Sequence, residues 1–113
     1  MKEFIFLFRS PHSEMAKLSP DEMQAYMGKW SVWTKKLSEN GTLKFGDRLS
    51  RENAKIVYDF GNIVTDGPFI ESKEIVGGYI IIEAETMEEA VEISKKCPIY
   101  NVNGVVEIRT SAY

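Results

Sequence analysis

Apolar residues along this chain switch between two spacings, and most of the switches fall at a Gly, Pro or Asn. Phe4 to Phe8 is an unbroken aromatic and aliphatic run, short enough for a strand and apolar on both of its faces. Ser10-Pro11-His12-Ser13 ends it as a loop. Ser19-Pro20-Asp21-Glu22 then supplies an N-cap serine, a proline at the first helical position and a glutamate that closes a capping box. The helix it opens carries Met23, Tyr26, Met27, Trp30, Trp33 and Leu37 at three- and four-residue spacing, one apolar stripe, until Asn40-Gly41 stops it. Leu43 to Phe45 reads as a short strand. Lys55 to Thr65 reads as two strands joined at Phe60-Gly61-Asn62, a hairpin by its turn chemistry. Val76 to Glu83 is the most β-prone run. Thr86-Met87-Glu88-Glu89 repeats the capping box and opens a second helix with Met87, Ala90, Val91 and Ile93 facing a core; Cys97-Pro98 ends it. Asn103-Gly104 turns into a last strand, Val105 to Thr110.

The order is β-α-β, an inserted hairpin, then β-α-β, which predicts an α+β domain on the ferredoxin-like split βαβ plan. Two helices in that plan cover one face of a four-stranded antiparallel sheet and leave the other bare. Because Phe4 to Phe8 is apolar in both alternations, the bare face needs a cover, and burial at about 25 cal/mol per Å² makes covering it worth several kcal/mol. The pattern therefore predicts a homodimer with its sheets facing.

Composition narrows the function classes. A length of 113 residues fits one domain, 1–113. The net charge of −3 leaves no basic field for phosphates, so nucleic-acid binding is not expected. The first apolar run is too short for a signal peptide, and the longest one, Ile75 to Ile82, is interrupted by Gly77 and Gly78; neither a membrane span nor export is expected, and the chain reads as cytoplasmic. One Cys and one His make no metal constellation, and no phosphate- or dinucleotide-binding glycine motif appears, so neither metal nor cofactor is expected.

Candidate chemistry centres on Thr65-Asp66-Gly67-Pro68-Phe69-Ile70-Glu71-Ser72-Lys73-Glu74. One reading makes it structural: Asp66 accepts backbone hydrogen bonds, Gly67-Pro68 turns the chain and Phe69 plugs the core. The other places Asp66, Glu71 and Glu74 at a cavity mouth, balanced by Lys73 or Arg48, where they hold a polar ligand or shuttle protons; Asp66 and Glu71 are the acid-base candidates. In the last strand Val105, Glu107 and Arg109 share one side and Val106 and Ile108 the other, so Glu107 and Arg109 point away from the helices, to pair there or to meet a ligand. Arg9 stands in the same position on the first strand. Trp30 is either core or ligand platform. His12 reads as a solvated loop residue and Cys97 as a buried structural thiol.

With Thr65-Asp66-Gly67-Pro68-Phe69, Glu71, Lys73-Glu74, Gly77-Gly78-Tyr79, Cys97-Pro98, Gly104 and Val106-Glu107-Ile108-Arg109 in this order, the chain resembles the YCII-related superfamily, in the branch named after its DGPF motif. The resemblance implies a ferredoxin-like subunit that pairs into a dimeric α/β barrel, and no established reaction. Relatives of this type are proposed to use a His on the first helix and an Asp before a Pro as an acid-base pair. Those positions fall here at Trp30 and at Cys97, so that pair is not carried over. The branch also implies a regulatory context linked to alternative sigma factors.

Two functions follow as expectations. The first is a homodimer that binds a small polar or aromatic molecule between its sheets, with Asp66 or Glu71 available for proton transfer. The second is a non-enzymatic module whose outer helices or hairpin engage a protein partner.

Overall fold

In the computed structural model, which describes residues 1–50, 53–67 and 74–112, the first strand, β1, runs from Lys2 to Pro11. Phe4, Phe6, Phe8 and Ser10 are buried, while Ile5, Leu7 and Arg9 between them are only half-buried. The chain passes straight into a short helix, α1 (His12–Ala16), where a loop was expected. Pro11 explains the difference, because its φ of −62° already suits the flank of a helix.

Helix α2 (Pro20–Glu39) has both bonds of its capping box: the Glu22 N–H donates to Ser19 Oγ at 3.1 Å and the Ser19 N–H to Glu22 Oε1 at 2.9 Å. Those bonds also hold the Glu22 carboxyl below its ordinary pKa. The apolar stripe does what its spacing predicts. Tyr26, Trp33 and Leu37 are buried, and Met23, Met27 and Trp30 pack half-buried beside them. Gly41, at φ +73°, turns the chain out of the helix.

Strand β2 (Leu43–Arg48) is twice the length its own pattern announced, because the ladder with a neighbouring strand defines it. Strands β3 (Ala54–Tyr58) and β4 (Ile63–Gly67) form the expected hairpin, turning through Asp59, Phe60 and Gly61 at positive φ. Strand β5 (Glu74–Ala84) precedes α3 (Met87–Ser94). Thr86 caps α3 by accepting from the Glu89 N–H, but the Glu89 carboxylate reaches the Glu85 N–H rather than that of Thr86. Ala90 is buried and Ile93 half-buried, whereas Met87 and Val91 are 38% and 39% exposed and do not face the core as expected. A 3-10 turn (Pro98–Val102), not foreseen, leads through Asn103 at φ +57° into β6 (Val105–Thr110).

The main sheet is fully antiparallel in the order β2-β5-β1-β6, and the hairpin is a separate two-stranded sheet. Phe4, Phe6, Phe8, Ile80, Ile82 and Ala84 project to the helical side, where Phe4 and Phe6 are 1% and 0% exposed. Each such burial contributes about 1.5–3 kcal/mol. The other side carries Ile5, Leu7, Tyr79, Ile81, Phe45 and Val105 and has no covering layer among the described residues. This is an α/β fold whose sheet is finished on one side.

Candidate functional site

The residues around the end of β1 leave space between α2 and the sheet. An open cavity of about 860 Å³ lies there, walled by Phe8 and Ser10 of β1, Tyr26, Met27, Trp30 and Thr34 of α2, Met15 and Ile99, and floored by Gly46 to Ser50 with Gly77-Gly78. Three features of the sequence open it. Gly77 is an extra residue in β5: Phe8 faces Gly78 while Arg9 faces Val76, so the ladder slips by one. The Leu49 N–H donates to the Gly77 carbonyl at 3.0 Å and holds the bulge. Gly78 and Gly46 let β2 and β5 approach; a Cβ on Gly78 would stand 3.0 Å from the Asp47 carbonyl oxygen, and one on Gly46 2.6 Å from Ile80 Cγ2. The paired glycines thus serve a bulge and a close strand contact.

The wall is aromatic. Trp30 meets Phe8 edge to face at a centroid distance of 4.9 Å, with Tyr26 at 6.3 Å and Trp33 at 5.6 Å from its ring. Trp33 is core, whereas Trp30 keeps a half-exposed side toward the cavity. Among the described residues Arg48 is the cation of the lining, and its guanidinium makes no ion pair or hydrogen bond there. Asp47 is the acid of that lining, and its Oδ1 accepts from the Arg48 N–H at 2.8 Å. The Thr34 hydroxyl donates to the Trp30 carbonyl at 2.9 Å. Such a surface can hold a flat apolar body and one anionic edge.

The candidates named from sequence separate into three places. Trp30 and Arg48 meet at the cavity. Arg9, Glu107 and Arg109 lie on the opposite, open face of the sheet, as the strand alternation predicted. Arg9 Nε donates to Glu107 Oε1 at 3.0 Å and Arg109 Nη1 to Oε2 at 3.4 Å; the bond from Arg9 above all holds the Glu107 carboxyl below its ordinary pKa. Asp66 is on the exposed hairpin, where its carboxylate accepts from Lys55 Nζ, and Gly67 closes β4. Phe69, Glu71 and Lys73 lie outside the described residues. Of the motif's carboxylates, the described Asp66 is not part of the cavity lining. Tyr26, Met27 and Ser10 were missed as lining residues. Their signal was the shared helical stripe, together with a Gly-Gly pair opposite the end of a strand.

Cys97 is 4% exposed, and burial pushes its thiol up to about 12 against an opposing backbone hydrogen bond from Ile99. Among the described residues no group of three or more His, Cys, Asp or Glu could hold a metal ion, and no helix is long and apolar enough to cross a membrane.

A one-sided antiparallel sheet under a long helix, with an aromatic cleft at the strand end, defines a class of small α/β proteins. The chain belongs to the YCII-related domain family, whose profile matches residues 4–111. No curated protein matches the sequence. Among solved structures it is similar to 5-chloro-2-hydroxyhydroquinone dehydrochlorinase (TftG) from Burkholderia phenoliruptrix AC1100, in complex with 2,5-dihydroxybenzoquinone. The TM-score is 0.51 at 14% identity, over 98% of this chain and 94% of that one. At that identity the likeness is one of fold.

Proposed function

We propose that this protein binds a small planar aromatic molecule with an anionic edge in the cleft between α2 and the sheet, rather than between two sheets as the sequence led us to expect. The observation that carries this reading is that Trp30 lines the cavity together with Arg48, whose guanidinium has no ion pair among the described residues. A quinone bound to a protein of similar fold supports it by analogy. Binding is favoured over turnover, because the described lining holds no His, Cys, Glu or Lys to carry a proton. Of the two acid-base candidates, Asp66 is on the hairpin and outside the described lining, and Glu71 lies outside the described residues.

The sheet order, with the hairpin set aside, supports the ferredoxin-like plan, and the uncovered apolar face supports pairing of two copies as a dimeric α/β barrel. Hydroquinone, benzoate and benzyl alcohol titrated against intrinsic fluorescence test the site. Trp30→Phe should remove most of the signal, and Arg48→Gln should weaken benzoate at least about tenfold while sparing the neutral alcohol. If no ring compound changes fluorescence or melting temperature, the cleft is not a ligand site.

A second reading, a protein-interaction module, draws on the hairpin, which exposes Val57, Tyr58, Ile63 and Val64, with Phe60 fully exposed at its tip. It expects Phe60→Asp to abolish co-purification of a partner without touching ring binding.

A further inference from the structure

The hairpin stands apart from the main sheet. Among the described residues its strands ladder only with each other, and no residue from Ala54 to Gly67 is buried. A two-stranded hairpin by itself is marginal in water. Its tip is nonetheless a defined turn: the Gly61 N–H donates to the Tyr58 carbonyl at 3.2 Å and the Asn62 N–H to the Asp59 carbonyl at 2.9 Å. Asp59, Phe60 and Gly61 follow one another at φ of 53°, 55° and 89°. Glycine takes that region freely and aspartate tolerates it, but a phenylalanine is strained there. Nothing within its own chain offsets that strain, because the Phe60 ring is fully exposed. The Asp59 carboxylate beside it has no ion pair among the described residues.

What the tip displays, the cleft lacks. Phe8 and Trp30 give the cleft an aromatic wall, Met15 and Met27 add polarisable thioethers, and the Arg48 guanidinium has no ion pair among the described residues. Asp47 does not answer that charge. It alternates to the other side of β2, and its carboxylate accepts from the Arg48 backbone N–H instead. Asp59-Phe60 is a ring with a carboxylate next to it, the chemistry already assigned to the cleft's ligand.

We propose that the hairpin tip of a second copy is an occupant of the cleft, with the Phe60 ring against Trp30 and the Asp59 carboxylate at Arg48, and that a ring ligand binds by displacing it. The tip is not in its own cleft, since Phe60 is fully exposed, and β3 carries it roughly 15 Å from Ala54. A second copy has both parts, so mutual exchange of tips closes a two-fold pair. The proposal rests on the reading of the cleft as a ring site and adds what competes for it. Bringing copies together then weakens the ligand by mass action.

Two measurements on the full chain test it. In the first, Phe60 is replaced by photoreactive p-benzoylphenylalanine, and a mixture of isotopically heavy and light chains is irradiated. The expected product joins a heavy to a light chain through Met15, Met27 or Trp30, and Asp59→Asn should lower its yield. Products elsewhere, or only within one chain, overturn the exchange. In the second, benzoate binding is followed by equilibrium dialysis at protein concentrations about a hundredfold apart. The wild type should bind at least about threefold more weakly at the higher concentration. Asp59→Asn/Phe60→Gly, whose new residues both suit the turn, should bind equally well at both. A wild-type affinity indifferent to protein concentration would refute displacement and leave the ring site standing. Benzoate that does not bind, with the crosslink still formed at Met15 or Met27, would remove the small-molecule reading and support the tip as occupant.

Discussion

Gly104 shows how tightly one residue can be held by its surroundings. A Cβ there would lie 2.3 Å from Ile99 Cγ1 and 2.7 Å from the Arg9 carbonyl oxygen, and the latter is backbone that cannot swing aside. Gly104→Ala should cost about 1–3 kcal/mol, read from the urea midpoint at unchanged slope. Cys97 is held differently. Its folded pKa of about 12 lies above the ordinary 9.0, so below pH 9 both folded and unfolded chains keep the proton and this group adds no pH dependence. As pH rises from 9 toward 12 the unfolded chain ionises first, and stability falls by at most about 1.4 kcal/mol per unit. The wild type should therefore lose stability relative to Cys97→Ala across that window, and the native thiol should resist a disulfide reagent that labels the unfolded chain. The buried thiol was legible in sequence because it closes an amphipathic helix before a Pro. The demand on Gly104 was not, since it comes from a carbonyl on a strand some 95 positions away.

Elements whose determinants are local were the legible ones. The capping box at Ser19 and Glu22, the stop at Gly41 and the hairpin turn at Asp59 to Gly61 each lie within a few residues of the conformation they set. Ser19→Ala should lower stability by about 1 kcal/mol, visible in thermal melts. Because only the ionised Glu22 accepts fully at the cap, and its pKa is depressed, the box's contribution should be present above the ordinary carboxylate range and fade as pH falls through it. Thr86→Ala should cost a similar amount, while the Glu89 bond to Glu85 survives it. Strand β2 was misjudged because its partner is remote. Only Leu43 to Phe45 looks like a strand by itself, yet the ladder with β5 carries it to Arg48. The cleft was illegible for the same reason: its aromatic wall reads as ordinary core stripe, and only the bulge at Gly77 turns part of that stripe toward open space.

The molecule as a whole is looser than its length demands. Its radius of gyration is 15.5 Å against about 13 Å for a compact chain of this size, and its hairpin forms a sheet of its own with Phe60 fully exposed. Small-angle scattering on the single subunit should return a value close to 15.5 Å; one near the compact figure would mean that the hairpin folds back. The shortest dimension is only 19 Å, one helix layer on one sheet. A body that thin has no deep interior, and the amides of β1 and β5 lie a single side-chain layer from water on their uncovered side. If a second copy is what seals that side, the slowest hydrogen exchange in the protein would depend on how concentrated the sample is, and dilution alone would loosen the centre of the fold before it loosened the caps of its helices.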